Sequence, residues 1–125
     1  MFKVNNRKTL GDLGEEQAQK FLQKQGYKLL YKNYRCPLGE IDLIMSKAKT
    51  VLIVEVKSGS HSNISPKVHF DWHKKKKLIR LAQFFLMHYP KYCDYTLQFD
   101  LVVYQPHLPC SIEHYPYAID DMDQL

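Results

Sequence analysis

The chain has 125 residues, 45% of them hydrophobic and 25% charged, enough for one domain whose core needs no disulfide or metal staples. Lys and Arg outnumber Asp and Glu by 18 to 13, and the net charge of +5 favours an anionic partner, nucleic acid or an acidic membrane surface. Three widely spaced cysteines without a CxxC pair argue against a disulfide framework or a thiolate zinc site. The absence of a signal-like or membrane-length apolar run predicts a cytoplasmic protein with no membrane partner.

Residues 1–8 are polar and basic and are expected to fray, leaving a single domain over 9–119 and a short tail, 120–125. Thr9 reads as an N-cap, with Asp12 three residues on as a short-armed capping box. Leu10, Gly14, Ala18, Phe21 and Leu22 follow at helical spacing and Gly26 supplies a stop, so a first helix falls at about 10–25. Three strand-like runs, 27–34, 40–46 and 51–57, are joined into a meander by turn-forming segments at 36–39 and 47–50. A polar loop, 59–66, leads to a second helix at about 71–88, with Leu78, Leu81, Ala82, Phe85 and Leu86 on its buried stripe and Pro90 just beyond. A strand at 96–104 and a further one at 111–114 complete an α/β order of αβββαβ(β).

The chemistry concentrates in Val51-Leu52-Ile53-Val54-Glu55-Val56-Lys57. Alternation puts Glu55 and Lys57 on one face with Val51 and Ile53, while Leu52, Val54 and Val56 form a second apolar face. Strands apolar on both faces are usually covered on both sides, so an acid and an amine emerge together from the end of a buried strand. A buried carboxylate needs a cation or a proton beside it. Asp42 in the preceding strand, if that strand is an antiparallel neighbour, adds a second acid. Two carboxylates and a backbone carbonyl would suit Mg²⁺ or Mn²⁺; the alternative is a buried ion pair of Lys57 with Glu55 or Asp42. Glu15 lies on or beside the apolar face of the first helix, flanked by Gly11 and Gly14. It reads either as a third acid delivered to the same site or as a boundary residue of helix–sheet packing.

G-x-x-G-E (residues 11–15), N-Y-R-C-P-L-G-E-I-D-L-I (33–44), V-E-V-K-S (54–58) and Q-F-D-L-V (98–102) occur in one order. Together they resemble the YraN family of small bacterial proteins, itself similar to archaeal Holliday-junction resolvases within the restriction-endonuclease-like, PD-(D/E)xK superfamily. The resemblance runs from about Leu10 to Ile119. It implies a three-layer fold with a mixed central sheet flanked by helices, and divalent-metal-dependent hydrolysis of phosphodiester bonds in DNA, branched or structured. By the same resemblance Asp42 and Glu55 are metal-binding carboxylates, the Val56 carbonyl is a main-chain ligand, Lys57 is the catalytic lysine and Glu15 the first-helix acid. Resolvases act as dimers, which carries over as an expected homodimer, although no oligomer seam is legible. The family usually continues E-V-K-T-R. Here Ser58 keeps the hydroxyl and Gly59 replaces the arginine, removing one candidate phosphate contact. A non-catalytic nucleic-acid-binding protein retaining the nuclease fold stays open as the alternative.

Lys74, Lys75, Lys76 and Lys77 open the second helix and read either as a phosphate-binding ridge or as a solvated basic turn, with Lys74 nearest the buried stripe. Arg35 and Ser58 join them as expected nucleic-acid contacts, and the loop residues Ser60, His61 and Asn63 sit just past the active strand. Trp72 and the nine tyrosines could stack on bases, but most of them are expected in the core. Asp100, in the F-D motif, is expected to support Arg35 or a lysine.

Overall fold

Helix α1 (Leu10–Lys24) begins at the expected capping box: the Asp12 N–H donates to Thr9 Oγ1 at 3.0 Å, and the Thr9 N–H donates back to the Asp12 carboxylate. It ends at Gly26, whose φ of 97° is a left-handed conformation that favours glycine. The structure, a computed structural model, describes residues 9–59 and 71–119. The expected frayed N-terminus, the loop residues Ser60, His61 and Asn63, and the tail 120–125 lie outside those residues.

Strands β1 (Lys28–Cys36), β2 (Gly39–Lys47) and β3 (Thr50–Ser58) form the meander, joined by two-residue turns closed by the pairs Cys36↔Gly39 and Lys47↔Thr50. Helix α2 (Trp72–His88) then crosses over to β4 (Thr96–Tyr104), which pairs parallel to β3, and β5 (Ile112–Ile119) closes the sheet antiparallel. The sheet order is therefore β1-β2-β3-β4-β5. A single 3₁₀ turn, Pro90–Tyr92, follows α2, and Asp71 caps that helix by accepting the Lys74 N–H. Among the described residues no helix is long and apolar enough to cross a membrane.

The two faces of β3 carry two separate cores. Val51 and Ile53 pack with Leu78, Leu81, Ala82 and Phe85 of α2, while Leu52 and Val54 pack with Ala18 and Leu22 of α1. This is the three-layer, nuclease-like arrangement, with β3 buried on both faces as its composition requires. Burial of these side chains, at roughly 25 cal/mol per Å² of apolar surface, is what holds the layers together.

Asp100 departs from expectation. Its carboxylate is fully buried on the α1 side and takes neither Arg35 nor a lysine. It accepts instead from Gln98 Nε2 at 3.0 Å and from the Tyr117 N–H at 3.1 Å, and meets His114 Nε2 at 2.6 Å. Tyr117 has a φ of 55° inside β5, where the β4–β5 register shifts between Phe99 and Leu101. Asp100 thus satisfies a backbone N–H that the bulge takes out of the ladder, a structural task that its short carboxylate can perform. The bulge also carries β5 five residues beyond its expected end.

Candidate active site

Asp42 reaches β3 because the β2–β3 ladder opens beside it. The recorded pairing ends at Leu43↔Val54, and beyond it the Asp42 carboxylate takes the place of a backbone partner, accepting the Val56 N–H at 2.8 Å. A matching irregularity lies across β1. Asn33, between the pairs Lys32↔Leu43 and Tyr34↔Ile41, adopts a φ of 54°, a conformation that asparagine tolerates better than most residues. As a result Tyr31 and Tyr34, and likewise Ile44 and Ile41, pack under α2 although each pair is three residues apart, which strict alternation forbids. The kink turns the ends of β1 and β2 around the carboxylates.

Three acids meet there. Asp42 hydrogen-bonds Glu55 from β3 and Glu15 from α1, and Lys57 Nζ lies 3.3 Å from Glu55 Oε2. Glu55 and Lys57 retain only 22% and 31% of their side-chain exposure, so the pair is partly desolvated. Burial, then the charge of Glu55 and to a lesser degree that of Glu15, push the Asp42 carboxyl up to about 8, against the pull of the Val56 N–H. Near neutral pH Asp42 therefore carries a proton. Burial raises Glu15 as well, although its hydrogen bonds to Asn33 and Asp42 oppose the rise. At Lys57 burial opposes the charge, yet contact with Lys74 and the charges of Glu55 and Asp42 outweigh it and hold the amine above the ordinary lysine value. Lys74 moves the other way, lowered by its contact with Lys57 and then by burial.

In a strand the N–H and C=O of one residue point to the same edge, so the Val56 carbonyl faces the gap that Asp42 occupies. Its oxygen and the carboxylates are hard donors of the kind that Mg²⁺ and Mn²⁺ take. Among the described residues no group of three or more His, Cys, Asp and Glu side chains is placed to hold a metal ion. A small donor set of this kind suits an ion that keeps several of its waters.

The basic residues divide. Lys74 and Lys77, one helical turn apart, line a cleft with Glu40 and Glu55, floored by Leu78 and Leu81. Lys76 lies over the Trp72 ring at 4.5 Å, and Lys75 is half-buried and engaged in contacts of its own. Arg35 is exposed at the β1 end, 3.3 Å from Glu40, a surface pair worth little to stability. The Ser58 hydroxyl is buried against Gly14 of α1, with no hydrogen-bond partner among the described residues. Trp72 is 55% exposed, outside the core in which most of the aromatic residues were expected.

Two residues of the site were not singled out in the sequence. Glu40 lines the cleft, and Asn33, with its amide nitrogen turned to the acids, donates to Glu15 Oε1 and Glu40 Oε2 at 3.0 Å each. For Glu40 a signal existed: it stands two residues before Asp42 in one strand, the spacing that places side chains on a common face. For Asn33 the only signal was a turn-favouring residue inside a strand pattern.

Comparison with known proteins places this geometry in a family. Residues 14–104 match the model of "Uncharacterised protein family UPF0102". A UPF0102 protein of Caldanaerobacter subterraneus is 38% identical over 98 residues, 78% of this chain and 80% of the relative. One from Fervidobacterium nodosum is 41% identical over 91 residues, covering 72% of this chain and 68% of that protein. One from Desulforapulum autotrophicum is 38% identical over 111 residues, 87% and 91% of the two chains. The matched span contains Glu15, Asn33, Glu40, Asp42, Glu55, Lys57 and Lys74, and the chain belongs to the UPF0102, YraN-like family.

Proposed function

We propose that the chain is a divalent-metal-dependent nuclease that hydrolyses phosphodiester bonds in DNA. The observation that carries this reading is the convergence of Glu15, Asp42 and Glu55 with Lys57 at the open end of β3, with Asp42 raised to about 8 by its neighbours. A carboxyl strongly perturbed by burial and by neighbouring charge is a functional-site candidate, because catalysis tunes its acids by those means. Asp42, Glu55 and the Val56 carbonyl would hold the ion, and Glu15 would add charge from the helix side. A bound divalent ion supplies polarisation of the scissile phosphate and a lowered pKa for water.

The chain's own groups do the rest. Lys57, kept protonated by Glu55 and Asp42, is poised to orient the attacking water or to offset the charge that develops on the phosphorus oxygens. Lys74 and Lys77 on the opposite wall would fix the flanking phosphates. Resemblance to resolvases is the ground for a preference for branched or structured DNA, and for a homodimer as the working form.

Incubation of the purified chain with Mn²⁺ and a panel of duplex, single-stranded, flap and four-way-junction DNA, with RNA alongside, tests the reading. Cleavage of at least one DNA, reduced a hundredfold or more in Asp42→Asn, is expected, since the acid acts directly on the reacting centre. Equal activity in Asp42→Asn would assign the cleavage to a contaminant. Binding without any cleavage would instead favour the non-catalytic nucleic-acid-binding reading.

A further inference from the structure

Beside the acidic cleft, on the outer side of Lys77, a second hollow is lined by Leu38, Trp72, His73, Lys76, Lys77 and Arg80. Lys77 belongs to both hollows, so they adjoin. Among the described residues the second one is lined by no acid. It joins an exposed indole and an exposed leucine, 55% and 47% accessible, to three cations and a histidine. Trp72 stands at the first residue of α2 with more than half of its surface exposed. Here it is held in place by the Lys76 ammonium 4.5 Å from the ring centroid and by an edge contact with His73.

Aromatic surface interleaved with cations is what an unpaired nucleotide requires: a face for its base and charges for the phosphates on either side. A continuous duplex offers phosphates but no free base face. From the composition of this hollow and its sharing of Lys77 with the cleft, we infer that Trp72 and Leu38 form a stacking platform for an unpaired base next to the phosphate held in the cleft. Lys76, Lys77 and Arg80 grip the backbone of that strand. The substrate class is then DNA with a single-stranded segment at a junction, tail or flap rather than uninterrupted duplex. This inference rests on the nuclease reading for its place in catalysis, but the platform itself requires no turnover.

Trp72 is the sole tryptophan of the chain, so its fluorescence reports the platform directly. The full chain is titrated without divalent metal, against a blunt DNA duplex and against the same duplex bearing a single-stranded tail, with affinities read in parallel by anisotropy of labelled DNA. The tailed duplex is expected to quench Trp72 and to bind about tenfold more tightly than the blunt one, the scale of one stacked base. Trp72→Ala should erase that preference while leaving blunt-duplex binding and its salt dependence in place, and Trp72→Phe should keep most of it. Equal affinity for the two DNAs without quenching, or a preference that survives in Trp72→Ala, would overturn the inference. Quenching and preference intact in a chain that cleaves nothing would leave the platform standing and remove the nuclease reading.

Discussion

Asp42 shows how a single residue can be both a fault in a strand and the centre of a site. Its carboxylate substitutes for a missing backbone partner at the Val56 N–H, and in doing so is brought against two other acids. The cost falls on the metal-free fold. In the unfolded chain this carboxyl titrates near 3.8 and in the fold at about 8, so between those values the native state holds a proton that the unfolded state has lost. Stability must then fall as pH rises across that window, and the contribution is present in full only below about 3.8. Glu15, also raised by burial, acts in the same direction. Asp42→Asn keeps an oxygen for the Val56 N–H and abolishes the ionisation. It is expected to raise the Tm of the metal-free protein by about 5 °C or more at pH 8 and by clearly less at pH 5, as followed by circular dichroism. A loss of stability at pH 8 would show that the acids are already compensated by other means.

At the scale of elements, the site depends on how closely α1 approaches β3. Gly14 lies directly on Ser58, and a methyl group added at Gly14 would overlap the Ser58 oxygen while pressing on Cβ of Ser58 and of Tyr104, at 3.3 and 3.4 Å. This close approach sets the distance at which Glu15, the next residue, reaches Asp42. Gly14→Ala is therefore expected to cost about 1–3 kcal/mol in urea unfolding, the range for overpacking. Ser58→Ala should be neutral or stabilising by about 1 kcal/mol, because it removes a buried hydroxyl without a partner. In the Ser58→Ala background the Gly14→Ala penalty should largely disappear. Additive costs in the double variant would mean that the two residues are not in contact.

The elements themselves were largely legible in the sequence. Thr9, Asp12 and Gly26 mark both ends of α1, and the apolar stripe of α2 comprises the residues found in its core. Alternation along β3 correctly separated Val51 and Ile53 from Leu52 and Val54. What escaped were departures from regular period. The left-handed Asn33 and the bulge at Tyr117 each break an alternation that a pattern must assume, and each is satisfied by an acid distant in the chain. For the same reason the partners of Asp100 could not be read from Q-F-D-L-V: they lie across a register shift on β5.

For the molecule as a whole, placing the acids and lysine on adjacent apolar strands was a matter of residue pattern. Bringing in Glu15 and assigning a role to the cluster depended on family resemblance. The structure adds the physical link, a buried Asp42 hydrogen-bonded to Glu15 and Glu55 at the open end of β3. The +5 charge that first suggested an anionic partner is supplied in part by Lys74 and Lys77 on the wall facing those acids. In the proposed reading, a cation exchanging with the Asp42 proton would tie the acids, the lysine and the basic wall into one account.

Calorimetric titration of Mn²⁺ into the metal-free chain at pH 7, repeated in buffers of different ionisation enthalpy, measures that exchange directly. Saturable binding that releases about one proton per ion is expected, because Asp42 must give up its proton to become a ligand, and Asp42→Asn should lose both the binding and the release. No saturable binding, or binding in Asp42→Asn equal to that of the natural chain, would contradict the metal site on which the account rests.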